Sequence, residues 1–185
     1  ARPLAQAARL TSEKISNPAQ LAQFASLRAD TPVLVLLAAG KGTRFGQDPK
    51  CIQPVQGTPL ARHSIDAFRR CSPGPVICLV GYRAEEVSTA LGADNLYILS
   101  DNPTGGTAYA TYEAFCAPGL NTQNPLLVIT MGDRIVPPAI YRRLLDTHCG
   151  GAQEADLTFL TAYYEPPKNH GKGRILRNAQ GQVLQ

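Results

Sequence analysis

Lys41, Arg44 and Lys50 fall within eleven residues that also contain Gly40, Gly42 and Gly46. Glycines let a backbone approach a ligand closely and turn through positive φ. Successive N–H groups in such a turn form a concave anion site, and the three cations add charge around it. With Ala38, Ala39 and Thr43 the run is small or basic nearly throughout, so the chemistry to expect is phosphate binding. A second candidate is Asp133, which follows Gly132 directly after an apolar run. A carboxylate so placed suits Mg²⁺, which takes one or two carboxylates and completes its shell with substrate phosphates and water. A solvated loop aspartate, or a cap for a helix starting at Pro138, is the plain alternative. A third is the loop Ser100-Asp101-Asn102-Pro103-Thr104-Gly105-Gly106-Thr107. Thr107 has the chemistry of a helix cap, and its glycines also suit the floor under a nucleobase, where backbone groups can read a base edge.

The common phosphate loops do not fit. A Walker A loop needs Ser or Thr directly after Gly-Lys and a glycine five positions earlier, but Gly42 follows Lys41 and Val35 stands at the earlier position. Gly40, Gly42 and Gly46 are spaced one residue too long for the dinucleotide fingerprint.

The elements that must position these groups alternate. Val33–Leu37 is a short apolar run of the kind that forms a strand buried on both faces. Leu60–Arg70 has an apolar stripe at helical spacing. Val76–Val80 and Leu96–Leu99 read as further strands, separated by a helix from Ala84 to Leu91. A helix to about Phe115, a strand at Leu126–Thr130, a helix at Pro138–His148 and a strand at Leu157–Ala162 complete the pattern. Gly57-Thr58-Pro59 reads as a turn. Such alternation predicts an α/β fold, a mostly parallel sheet with helices on both faces, whose ligands bind beyond the carboxyl ends of the strands. Residues 1–30 read as a helical extension or linker broken at Asn17-Pro18, and residues 31–185 as the domain.

The stretch Leu37-Ala38-Ala39-Gly40-Lys41-Gly42-Thr43-Arg44, with Pro49-Lys50 after it, resembles the signature of nucleotidyltransferases of the sugar-phosphate and molybdenum-cofactor (MobA-like) type. The likeness is greatest to the uridylyltransferase domain of bacterial N-acetylglucosamine-1-phosphate uridylyltransferases. Gly106-Thr107 and Ala110 match that family's nucleotide loop, which includes Asp101 here, and Asp133 matches its metal ligand. Gly173-Arg174-Ile175 matches its sugar-contacting stretch, with Lys172 where the family has tyrosine. After Asp133, Arg134-Ile135-Val136-Pro137 replaces the family's small apolar residue and proline. The resemblance implies a three-layer, Rossmann-like nucleotidyltransferase fold, truncated here relative to the family domain. It implies Mg²⁺ as cofactor, with an NTP (UTP favoured) and a sugar 1-phosphate as substrates. Arg44 would hold the leaving pyrophosphate and Lys50 the α-phosphate, with residues 37–43, Asp101, Gly106 and Thr107 around the nucleotide and Gly173 near the sugar. A molybdenum-cofactor guanylyl- or cytidylyltransferase, and an NTP-binding regulatory domain without turnover, are the alternatives.

Composition sets the outer bounds. The chain has 185 residues and a formal charge of +4, with no block of basic residues of the kind that binds nucleic acid. No apolar run reaches membrane-spanning length. Cys51, Cys71, Cys78, Cys116 and Cys149 show neither a zinc spacing nor a disulfide framework, which suggests a cytoplasmic protein. Most of them, with His63 and His148, read as structural.

Overall fold

A computed structural model describes residues 31–42, 46–116, 125–151, 155–162, 175 and 177–183. The helical extension expected over residues 1–30 lies outside them. The chain divides into two compact units, one ending at Arg143 and one beginning at Leu144.

The first unit is built on four parallel strands. They are β1 (Pro32–Ala38), β4 (Val76–Val80), β5 (Leu96–Leu99) and β6 (Leu126–Met131), in the spatial order β5-β4-β1-β6. A small antiparallel ribbon of β2 (Pro54–Val55) and β3 (Thr58–Pro59) lies apart from the sheet. Its turn is Gln56-Gly57, with φ of 52° and 79°, the two-positive-φ geometry of a tight hairpin. The turn therefore falls one residue earlier than the Gly-Thr-Pro spelling suggests. The helices are α1 (Leu60–Arg69), α2 (Ala84–Leu91), α3 (Gly106–Phe115) and α4 (Pro138–Gly150).

The central strand is apolar throughout because both faces are covered. Val33, Val35 and Leu37 pack with Ile77, Leu79, Leu96 and Ile98 under Ala110 and Ala114 of α3. Leu34 and Leu36 point the other way and are equally buried, as are Ile65 and Phe68 of α1. Each such side chain contributes about 1.5–3 kcal/mol by leaving water. Phe68 also meets Tyr141 of α4 edge to face, with ring centroids 5.9 Å apart. The result is the expected three-layer arrangement.

Chain order matters more than layer count. From β1 the chain steps outward through β4 to β5, then returns past β1 to lay down β6 on its other side. In open parallel sheets the crevice for ligands lies at such a reversal, beyond the carboxyl ends of the strands. Here it lies beyond β1 and β6.

In the second unit, His148 Nδ1 and Thr158 Oγ1 are 2.9 Å apart. Arg177 and Val183 form an isolated antiparallel bridge. The strand expected at Leu157–Ala162 is not formed: these residues make no ladder, and Leu157 is 72% exposed. Apolar content nominates a strand, but only a neighbour's N–H and C=O groups make one.

Candidate active site

The two edges of the reversal are held together by β1. Its Leu37 carbonyl accepts the Gly132 N–H at 2.9 Å on the β6 side, and the Ala39 carbonyl, just past its end, accepts the Tyr82 N–H at 3.1 Å on the β4 side. The post-strand residues of β6 and β4 are thus fastened on either side of the glycine-rich run. A side chain at Gly132 would be crowded. A Cβ would lie 3.1 Å from the Leu37 carbonyl oxygen, 3.2 Å from Cys51 Cβ and 3.3 Å from Ala38 Cβ.

Within the run, Gly42 has φ of +57° and Gly46 of +95°, conformations that side chains resist. A Cβ on Gly42 would lie 3.6 Å from Lys50 Cβ, whereas one on Gly40 would have nothing within 4 Å among the described residues. Gly40, Lys41 and Gly42 are exposed. Thr43 and Arg44 lie outside the described residues, as does Gly173. Leu37, Ala38 and Ala39 are buried at the end of β1 and in the residue after it.

Pro49 leads into a single 3-10 turn, Lys50–Ile52, which buries Cys51 and directs Lys50 across the crevice. Lys50 Nζ donates to Asp133 Oδ2 at 2.9 Å, joining residues 83 positions apart. Their side chains are 35% and 33% exposed. An ion pair this open to water adds little stability, so its consequence is placement. Arg134 Nε stands 3.7 Å from the other carboxylate oxygen. Burial pushes the Cys51 thiol up to about 11; a backbone hydrogen bond opposes the shift and the Asp133 charge adds to it. Cys51 is therefore an un-ionised spacer under the pair, not a nucleophile.

Asp133 is also the candidate metal ligand. Among the described residues no three or more His, Cys, Asp or Glu side chains converge as a metal cluster. One partly exposed carboxylate at a strand end fits Mg²⁺, which draws the rest of its shell from phosphates and water. It does not fit the ligand sets of structural zinc.

Other groups support the site that inspection of the sequence did not single out. Tyr82 donates its hydroxyl to the Gln47 carbonyl at 2.9 Å, and Lys41 Nζ lies 5.3 Å from the centre of its ring. Arg83 takes a left-handed φ of 51° and reaches Asp48 at 2.7 Å. Both pin the segment between the glycines and Lys50. Gly81, just before them, is wedged so that a Cβ would lie 2.9 Å from the Ala39 carbonyl oxygen and 2.9 Å from Pro103 Cγ. On the far side of β6, the Ser64 hydroxyl donates to the Arg134 carbonyl at 2.6 Å and accepts the Val136 N–H at 3.3 Å.

The loop after β5 is built differently. Asp101, Gly106 and Thr107 are all exposed, and the loop is gripped from beneath by Glu113 of α3, which is 4% exposed. Its carboxylate accepts the Ser100 hydroxyl at 2.5 Å and the Asp101 N–H at 2.6 Å. Gly105 occupies the cap position of α3 without a side-chain cap, and Gly106, at φ +82°, opens the helix. Thr107 lies inside the first turn, so it does not serve as the cap.

His63 is structural: its Nε2–H donates to the Val55 carbonyl at 2.9 Å. All five cysteines are free, but only Cys51 and Cys78 are buried, fewer than expected. Among the described residues no helix is long and apolar enough to cross a membrane.

Comparison with known proteins places this geometry among relatives. Residues 34–170 match the model of the MobA-like NTP transferase domain. The bifunctional protein GlmU of Cupriavidus pinatubonensis is 34% identical over 152 residues, covering 82% of this chain and 32% of that protein. The chain thus spans roughly a third of the length of the curated relatives it matches. Rv0371c from Mycobacterium tuberculosis H37Rv superposes with a TM-score of 0.55 at 25% identity, over 65% of this chain and 62% of that one. The 4-diphosphocytidyl-2C-methyl-D-erythritol synthase of Anaerococcus prevotii gives a TM-score of 0.52 at 14% identity, covering 84% and 63% of the two chains. The architecture is that of the nucleotide-diphospho-sugar transferase fold.

Proposed function

Because the chain belongs to the MobA-like NTP transferase family, and so among the nucleotidyltransferases, we propose that it transfers a nucleoside monophosphate from an NTP to a sugar 1-phosphate. UTP is the favoured donor, and pyrophosphate is the second product. The observation that carries this reading is the Lys50–Asp133 pair, 2.9 Å across the crevice where the strand order reverses. The resemblance of the Leu37–Lys50 stretch to uridylyltransferase domains and the 34% identity to a GlmU protein support the choice of substrates.

The acceptor phosphate oxygen is already anionic at neutral pH, so no general base is needed. Its lone pair forms the bond to the α-phosphorus as the bridging bond to the β-phosphate breaks and pyrophosphate departs with that electron pair. Catalysis then consists of alignment and neutralisation of charge. The backbone from Gly40 to Thr43 cradles the triphosphate, and no described residue comes within 4 Å of where a Cβ on Gly40 would stand. Arg44 holds the departing β- and γ-phosphates. Lys50 exchanges part of its contact with Asp133 for the α-phosphate, and Asp133 holds Mg²⁺. When bound, that ion neutralises phosphate charge and helps orient the groups. Asp101, Gly106 and Thr107 border the nucleobase, and Gly173 the sugar.

The test is a pyrophosphate-release assay across the four NTPs, with N-acetylglucosamine 1-phosphate, other sugar 1-phosphates and molybdopterin as acceptors. Product from UTP and a sugar 1-phosphate is expected. Product only with molybdopterin would move the assignment to the cofactor branch of the family. One observation favours a regulatory domain without turnover: Arg134 brings a second cation to Asp133. NTP binding without pyrophosphate across the whole panel would establish that reading and remove ours.

A further inference from the structure

We propose that Ser64 is a positioning residue for the metal-holding carboxylate, its hydroxyl clamping the Arg134–Val136 turn so that Asp133 stays opposite Lys50. The inference rests on the reading of Asp133 as metal ligand given above. Ser64 belongs to the buried side of α1, alongside Ala61, Ile65 and Phe68, and is 0% exposed. A hydroxyl in such a place is costly unless it is hydrogen-bonded. This one bonds to backbone far along the chain, donating to the Arg134 carbonyl at 2.6 Å and accepting the Val136 N–H at 3.3 Å, and it also lies against the Tyr141 hydroxyl.

Those two groups follow closely on Asp133. The register of β1 with β6 ends at Leu37 and Met131, and the Gly132 N–H to Leu37 carbonyl bond follows it. Asp133 comes next. The Arg134 N–H returns to the Met131 carbonyl at 3.2 Å, closing a turn around Asp133. The chain is then held on its downstream side by Ser64. Asp133 therefore stands between a sheet anchor and a helix anchor. Loss of the helix anchor frees one side of the turn and leaves a carbonyl and an N–H without their partner. Residues that orient a metal ligand in this way typically change metal affinity or activity by about 10–100-fold.

The experiment uses the full chain and measures Mn²⁺ binding by electron paramagnetic resonance, with a UTP analogue whose α–β bridge is methylene. Ser64→Ala should bind Mn²⁺ about 10–100-fold more weakly. Its kcat should fall in parallel while KM for the NTP stays within about twofold, since the phosphate loop is untouched. The control is Ser72→Ala. Ser72 is also a buried hydroxyl and accepts the Gly74 N–H at 3.1 Å, but it precedes β4, at the opposite edge of the sheet. Its loss should lower the melting temperature and leave Mn²⁺ binding unchanged. Ser64→Cys, retaining a weaker donor of similar size, should fall between wild type and Ser64→Ala, and it carries the same comparison if the alanine variant does not fold. Wild-type Mn²⁺ affinity in the Ser64 variants, or equal losses in the Ser64 and Ser72 variants, overturns the proposal, as does a wild type that binds no Mn²⁺ with the analogue. Absence of pyrophosphate release by wild type would instead overturn the transferase reading, leaving the Mn²⁺ comparison able to judge Ser64.

Discussion

The loops after β6 and after β5 end parallel strands at the same edge of one sheet, yet they are secured in opposite ways. Beyond β6 the candidate metal-holding side chain itself is tied, since Asp133 is paired to Lys50 at 2.9 Å while sheet and helix hold its flanks. Beyond β5 only the root is tied. Glu113 grips Ser100 and the Asp101 N–H from below, while residues 101–109 are exposed. Under the proposed function the difference has a physical sense. Charge neutralisation at phosphorus gains from groups fixed before the substrate arrives, whereas a base-reading surface must present free backbone to its ligand.

That contrast can be broken most forcefully at Lys50. Lys50→Ala should reduce kcat by roughly 10²–10³, the scale of deleting one preorganised donor to a transition-state anion, with circular dichroism unchanged. Near-normal pyrophosphate release would end the claim that the tied loop does the chemistry. Glu113→Ala should act on binding instead. Losing its two hydrogen bonds should raise KM for the NTP by about tenfold, with kcat nearly preserved. A fall in kcat with unchanged KM would erase the distinction between the loops.

Smaller effects are expected away from both. Asp94 receives Arg62 at 3.1 Å and also pairs with Arg69, linking α1 to the turn before β5. Asp94→Ala should cost about 1 kcal/mol or less, read as a shift of a few degrees in thermal melting, and leave turnover intact. The least response is expected at Cys51. With its thiol pushed up to about 11, only about one molecule in a thousand is thiolate at pH 8. Iodoacetamide should therefore modify exposed Cys149 and spare Cys51 in the native chain. Rapid labelling of Cys51, followed by peptide mass spectrometry, would show the Lys50–Asp133 side opening freely.

What could be read from the sequence was what is written locally. The buried strand, the glycine-rich run behind it and Pro49-Lys50 are contiguous, and the strands at Val76–Val80 and Leu96–Leu99 have the expected bounds. Asp133 could be brought to the same edge because strand ends in a parallel sheet share it. The roles of Ser64 and Glu113 were invisible for the converse reason. Ser64 reads only as part of the inward stripe of its helix and Glu113 as an ordinary polar position, and the partners of both are set by how those helices dock. The cap reading left open for Thr107 falls away because Gly105 takes the cap position and Gly106 opens the helix. Leu157–Ala162 misled because an apolar segment says nothing about whether a neighbouring strand is there to receive it.

Gly81 has a bearing on how such a protein could be rebuilt. With the Ala39 carbonyl and Pro103 both 2.9 Å from where its first side-chain atom would stand, the connections leaving β1, β4 and β5 interlock at one point with no clearance for a methyl group. They are not separable cassettes. A base-recognition segment transplanted from a relative would bring its own contour against Gly81, so exchanges meant to alter nucleotide choice will succeed when the three connections travel as a set.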